Sequence, residues 1–478
     1  MNKIKQIVID NKLTIINYLL MAICFVFGSY LVNGKSIFFM DSNGVTDGPI
    51  PLHIFFIGFI PFLLCYIALI VINVIFNKYK PAKSFLIILG ILFLTNLIAL
   101  LTAKNSYDIS FTGIDRSSTY QFTYNLTPVL RFEYIMEFLV CLIMTHLVFD
   151  VVYKVVDGHL FLKCACIVGL LLCLGFMIFS YISEADKYIA FFKNIESDPY
   201  SNAVSAGLKS KNNYAFILTV GLFSCFYMYM VSKKKIPFIY IAIFLYINII
   251  FTLCKFLIIL DLLVLTYFAI FSLVQSIKQK DKNTSITIIA ILGLFLTAIL
   301  AVLIVLLAKG KLVSIFENIF LTKGYNTLDT RSWIWNNTIQ IINKFNWFNG
   351  VGYQLFGDLL YKYNMTDPNT MLINQTKNAH SVYLESLADG GIVLLLLSLI
   401  IIGYVIYLGV KHYRSNKILV IHQFVVIAFM LLYGIIENGP FAITTTGEKC
   451  LFIILTFIPL LLVNYETSKN KIYQPQNN

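Results

Sequence analysis

Charge is scarce in this chain. Asp, Glu, Lys and Arg make up only 13% of its 478 residues, against 59% hydrophobic residues and a mean hydropathy of +0.80. That poverty excludes a soluble globule. Strict polar–apolar alternation is also rare among the long apolar runs, which excludes a transmembrane barrel and leaves helices, whose backbone groups are satisfied internally in lipid. Metal-type cysteine spacing is missing: eight of the nine cysteines lie within or at the edge of apolar runs and Cys450 opens the last one, as packing residues do. No internal repeat or low-complexity tract stands out.

What the chain has in abundance is apolar runs long enough to cross a bilayer core of about 30 Å. They fall near 13–32, 51–76, 85–102, 133–153, 161–182, 214–231, 236–253, 256–277, 286–308, 391–410, 418–436 and 450–465. The first is too long for the apolar stretch of a cleavable leader and lacks a small-x-small site. The expected fold is an all-α polytopic membrane protein of about twelve transmembrane helices. One large extracytoplasmic loop with short amphipathic helices completes it. The domains are then 1–308 (helices one to nine), 309–390 (the loop) and 391–478 (helices ten to twelve and a tail).

The formal charge of +12 gives the orientation. With the N-terminus inside, the short inner loops and tails hold 19 basic residues and five acidic ones, so the positive excess is cytoplasmic. The basic pI therefore reports topology and contact with anionic lipid, and excludes nucleic acid as the partner. Both termini are expected in the cytoplasm.

The loop 309–390 is too long to lack structure of its own. A first helix is predicted to begin after Thr327 or Asp329, to carry Ile334, Thr338, Ile341, Ile342 and Phe345 on one stripe, and to stop at Asn349-Gly350. All three tryptophans, Trp333, Trp335 and Trp347, lie on or beside it, so it is expected to rest on the outer membrane interface. A second helix is predicted from Asn378 to Asp389, with His380, Tyr383, Leu384 and Leu387 on one face and Gly390-Gly391 loosening the join to the tenth span.

Arginine is another rarity, four against 32 lysines, and Arg116, Arg131 and Arg331 are expected outside, against the orientation bias. Where Lys carries bulk charge, a retained Arg suggests planar, multidentate anion recognition, though Arg331 pairing with Asp329 or a lipid phosphate is an equal alternative. Lys255 interrupts two apolar runs, and at the outer end of the eighth helix it reads as an anion contact or a snorkelling turn residue. Asp261 is an intramembrane carboxylate expected in an ion pair. Glu133 and Glu137, at i and i+4 beside Arg131, read as carboxylates lining a cleft or, more commonly, as a surface ion-pair cluster. Tyr107, Phe111, Tyr120, Phe122 and Tyr124 read as an aromatic belt or as sugar-stacking platforms. His380 suits proton abstraction from a sugar hydroxyl, against the commoner role of a structural hydrogen-bonder.

Taken in order, Asp329-Thr-Arg331-Ser-Trp333, Gly350-Val-Gly352 and Ala379-His380-Ser381-x-x-Leu384-Glu385, then Gly390-Gly391, resemble the O-antigen ligase and polymerase family. Upstream, Thr252-Leu-Cys-Lys255 is similar to the family's Ser-Arg element, and Ser205-Ala-Gly207 with Asn212-Asn213 to its Gly-rich, Asn-containing stretch; the resemblance covers roughly 200–410. Lys255 stands where the family commonly has Arg, supplying a point charge in place of a bidentate fork.

The resemblance implies a bacterial cytoplasmic-membrane enzyme that transfers a polyprenyl-pyrophosphate-linked glycan to the hydroxyl of an acceptor repeat unit on the outer face. It implies an inverting, metal-independent reaction without cofactor. His380 and Arg331 would be catalytic; Lys255, Arg331, Asn213, Gly350, Gly352, Ser381 and Trp333 would contact pyrophosphate or glycan. Membrane lipid, a chain-length regulator and a flippase would be partners. The expected activity is polysaccharide polymerase, for O-antigen, capsule or exopolysaccharide, with a glycan ligase as the alternative. A flippase for lipid-linked sugars is a third reading, but transporters gather polarity near the midplane, and here it gathers in one loop.

Overall fold

The computed structural model describes residues 2–37, 52–77, 79–112, 118–193, 203–208, 210–280, 286, 289–290, 327–366, 378–439, 441 and 447–473. In chain order these form α1 (Asn2–Ile37), α2 (Leu52–Phe76), α3 (Lys83–Thr102), β1 (Ser106–Thr112), β2 (Thr119–Asn125), α4 (Pro128–Val155) and α5 (Gly158–Ser183). Then come α6 (Ala185–Lys193), α7 (Lys211–Val231), α8 (Ile236–Phe251), α9 (Lys255–Lys278), α10 (Thr327–Lys344) and α11 (Leu355–Thr366). The last three are α12 (Val382–His412), α13 (Lys417–Ile436) and α14 (Gly447–Tyr473).

Among the described residues nine helices are long and apolar enough to cross a membrane, and two shorter apolar ones, Lys12–Gly28 and Ile236–Phe251, accompany them. The chain is an all-α polytopic membrane protein. Eleven of the expected spans fall on these helices; the one at 286–308 lies outside the described residues apart from isolated positions. Arg116 also lies outside them.

The chain divides into two compact units, one of Met1–Phe161 with Thr327–Asn478, the other of Leu162–Asn326. In the first, the connection between α3 and α4 is an antiparallel hairpin, Tyr107 opposite Tyr124 and Ile109 opposite Phe122. SYDISFT and TYQFTYN alternate strictly, so one face is aromatic and the other is small and polar. The aromatic face is neither belt nor open platform. Tyr107, Tyr120, Phe122 and Tyr124 pack on a core built from Trp333, Ile334, Ile341, Ile342, Leu355, Phe356 and Leu359. Tyr107 meets the Phe345 ring at 4.8 Å, and Lys344 donates to the Ser110 carbonyl at 2.8 Å.

This core corrects the expected seat of α10. Its stripe is where the periodicity puts it, with Ile334, Thr338, Ile341 and Ile342 buried, but it faces protein instead of lipid. Each of the three isoleucines removed from water contributes about 1.5–3 kcal/mol. The unforeseen α11 supplies the partner surface, and Tyr134 of α4 and Tyr124 of β2 both donate to its Asp358.

Two further expectations fail nearby. Glu133 and Glu137 are buried rather than superficial, and Arg131 donates instead to the carbonyls of Leu100, Leu101 and Ala103 and to Asn105 Oδ1. It thereby caps the last turn of α3, where unpaired carbonyls and the negative helix end favour a cation. Toward its other end α4 contains a π turn, Leu147–Val151, around buried Asp150, which accepts from Tyr79 and the Ala82 amide and pairs with Lys154.

Candidate active site

The site in the first unit begins with a broken helix. Gly390 (φ −137, ψ 17) and Gly391 (φ 65, ψ −165) interrupt α12, separating the short helix at residues 382–389 from the membrane span that follows. The second of these conformations is essentially restricted to glycine. The break exposes backbone groups, and residues 346–352 take them up. Val351 N donates to Ala388 O at 2.7 Å and Gly352 N to Asp389 O at 3.1 Å, while Ile392 N donates to Trp347 O at 2.9 Å.

Contact this close needs bare backbones. A Cβ on Gly350 would stand 2.5 Å from Gly391 N, and one on Gly391 would stand 2.2 Å from Phe348 O. Gly352 (φ +117) passes against Leu100. The Gly-x-Gly turn, expected to touch substrate, is thus a backbone clasp that fixes the base of the short helix.

His380 precedes that helix instead of lying on it. Its φ is +47, Ser381 is extended, and the helix starts at Val382. Two carboxamide and carboxylate contacts hold this start: His380 N donates to Asn378 Oδ1 at 3.2 Å and Ala379 N to Glu385 Oε2 at 2.6 Å. The expected shared face of His380, Tyr383, Leu384 and Leu387 therefore does not exist. Glu385, in the first turn of the helix, is what ties Ala379 down. Ser381 is buried and gives its carbonyl to Glu385 N.

Beyond α13, Glu437 completes the arrangement. One carboxylate oxygen accepts from Arg331 Nη2, and the other lies 3.2 Å from His380 Nδ1. Gly434 makes this possible, because a Cβ there would meet Val382 Cγ1 at 2.5 Å and hold α13 away from the start of α12. Tyr383 fastens the same junction by donating to Leu431 O at 2.8 Å. The three side chains are largely but not wholly enclosed, at 9% exposure for Glu437, 17% for Arg331 and 23% for His380.

A carboxylate on Nδ1 selects the tautomer with the proton on that nitrogen and directs the Nε2 lone pair to the far side of the ring. The guanidinium beside it offers further N–H donors to an anion. Sequence reasoning singled out Arg331 and His380, which the structure brings together, but not the Glu437 that joins them. The only hint was a carboxylate at the end of a span, in the stretch GIIENGP. Trp333, expected to contact glycan, is buried in the core behind α10. Among the described residues, no group of three His, Cys, Asp or Glu is placed to hold a metal ion.

The second unit holds the remaining expected residues. Lys255 is the first residue of α9, after a tight turn with Leu253 at φ +51, and Asn213 is exposed in the first turn of α7. Ser210 caps α7 by accepting from Asn212 N at 3.2 Å. Two links bring these motifs to one end of the unit: Val204 N donates to Phe251 O at 3.1 Å, and Lys211 Nζ to Leu253 O at 3.3 Å.

Glu184 organises the turn before α7. It accepts from Ser205 N, Ser205 Oγ and Ala206 N at 2.8–2.9 Å and pairs with Lys187 at 2.7 Å. Burial pushes its carboxyl up, but the Lys187 and Ser205 hydrogen bonds, with that from Ala206, outweigh burial and hold it down at about 2. Asp261 corrects another expectation. Its Oδ2 accepts from Thr219 at 2.7 Å, and among the described residues no cation pairs with it.

No curated protein is significantly similar to the chain. A family profile described as O-antigen ligase matches residues 209–399, a stretch that contains Asn213, Lys255, Arg331 and His380 but stops short of Glu437. Over residues 209–399, less than half of its length, this multi-pass membrane protein is similar to the O-antigen ligase family.

Proposed function

We propose that the protein is a polysaccharide polymerase of the cytoplasmic membrane, with its His380 end on the outer face and both termini inside. The observation that carries this reading is the pair of bonds from Glu437 to His380 and to Arg331. An imidazole with one nitrogen held by a carboxylate, beside a guanidinium, is a base next to an anion cradle.

In the proposed reaction His380 Nε2 takes the proton of an acceptor sugar hydroxyl as its oxygen attacks the anomeric carbon of the donor. The bond from that carbon to the pyrophosphate oxygen breaks in the same displacement. The electron pair leaves with the polyprenyl pyrophosphate, whose growing negative charge Arg331 stabilises. A single displacement inverts the anomeric centre, and none of these steps calls on a metal or cofactor. Lys255 and Asn213 of the second unit are proposed as pyrophosphate and glycan contacts. Ser381 and the Gly350–Gly352 turn act through the backbone that holds His380, and Trp333 through the core. The large loop 309–390 is proposed as the catalytic segment between two sets of spans, and a chain-length regulator and a flippase as cellular partners.

A glycan-length assay on cells carrying His380→Ala tests the reading. The polymerase predicts single lipid-linked repeats stranded outside; full-length chains attached to the polyprenyl carrier would point to a ligase, and repeats trapped inside to a flippase.

A further inference from the structure

Of the three tryptophans Trp347 is the exposed one, at 45%, and Phe348 beside it is 62% exposed. Both lie on the clasp that grips the break in α12, not on the buried stripe of α10. Large aromatic surface left open at a tight turn is costly in water and needs a cover.

The cover follows from what the patch adjoins. Ile392 N and Val393 N donate to the carbonyls of Trp347 and Phe348, so the turn sits directly on the first residues of the membrane span. From Ile392 (45% exposed) an apolar stripe runs down that helix through Leu396 (51%), Leu399 (39%) and Ile400 (55%). At i, i+4, i+7 and i+8 these residues share one face, and in a span of this hydropathy an exposed apolar face is the one that meets acyl chains. Trp347 and Phe348 stand at its head. Polar residues border them, with Asn343, Lys344 and Asn346 exposed and Asn343 Oδ1 accepting from Trp347 Nε1 at 2.8 Å. An apolar ring whose N–H is satisfied, between a lipid-facing stripe and a polar rim, matches the headgroup level.

We infer that the turn at residues 346–350 is a membrane-surface anchor, with Trp347 and Phe348 seated at the boundary between phospholipid headgroups and acyl chains. The occupant is bulk phospholipid, because the patch continues the lipid-facing side of a span without a break. The turn also holds Ala388 and Asp389, at the base of the helix that His380 precedes. The anchor therefore sets the height of that helix above the bilayer. The lipid contact itself does not depend on the transferase reading.

The test uses the full-length protein in phosphatidylcholine nanodiscs. Tryptophan emission is compared between wild type and Trp347→Phe, so that the difference isolates Trp347. Lipids brominated near the top of the acyl chains are expected to extinguish more of this difference signal than lipids brominated near the chain ends, with little loss to aqueous iodide. Strong iodide quenching with neither brominated lipid effective would put the turn in water and overturn the inference. Stronger quenching from the chain ends would overturn it as well, placing the ring too deep. Phenylalanine keeps the ring volume, and matching melting curves for the two proteins verify that the difference spectrum compares equal folds.

Discussion

Two carboxylates, Glu437 in the first unit and Glu184 in the second, do opposite things with similar burial. Glu437 gives both oxygens to side chains far away in sequence, an arginine 106 residues off and a histidine 57 residues off. Glu184 gives its oxygens to the backbone and hydroxyl of one turn, with a lysine three residues away. The first arrangement orients groups that can act on a ligand; the second fixes a loop. A buried acid's role therefore follows from its partners, since backbone amides cannot be redirected to a substrate and side chains can.

Glu437 can orient His380 only while the clasp keeps His380 in place. Gly391→Ala forces a side chain into a conformation that only glycine adopts and against the Phe348 carbonyl. The expected cost is about 3 kcal/mol of stability, read as a lower melting temperature together with loss of transfer. Next in size, Glu437→Gln should lower transfer about a hundredfold with little change in melting, because the amide keeps the volume and loses the charge that steadies His380 and Arg331. A parallel fall in stability would make Glu437 a scaffold like Glu184 and remove the distinction.

Smaller still, Lys255→Gln should weaken donor binding about tenfold while Lys255→Arg retains it, as loss of one point charge implies. Donor titrations with purified protein check this.

Glu184 gives the mildest effect. Its native carboxyl titrates at about 2 against 4.5 ordinarily, so its contribution to the second unit is complete above pH 4.5 and is lost as pH falls toward 2. Glu184→Gln should flatten that acid limb in a melting-versus-pH series and leave transfer near neutrality unchanged. An unaltered limb would deny Glu184 its role.

Much of the fold was legible because lipid makes simple demands. Runs of apolar residues mark helices, and the stripe of α10 is buried as its period requires. The side it faces was not legible, since the same stripe suits a bilayer or a protein core, and only the hairpin and α11 decide between them. The hairpin carries its own signal in the strict alternation of SYDISFT and TYQFTYN, but aromatic residues outside a membrane suit a belt equally well. At the site, Arg331 and His380 stood out as rare residue types in a rare segment. Glu437 did not, because its role is created by contacts across a long stretch of chain. His380 was misplaced onto a helix because helical spacing carries no record of a left-handed residue, whose cause is the local pull of Asn378 and Glu385.

His380 is proposed to remove the acceptor's proton in a displacement at the donor sugar. The most direct measurement is single-turnover transfer from a polyprenyl-pyrophosphate glycan by purified wild-type and His380→Ala protein, with melting curves matched. A rate about a thousandfold lower in the variant is the predicted result. Transfer within about tenfold of wild type would contradict it, since a difference that small, about 1.4 kcal/mol, is what one lost contact costs and not what a missing base costs.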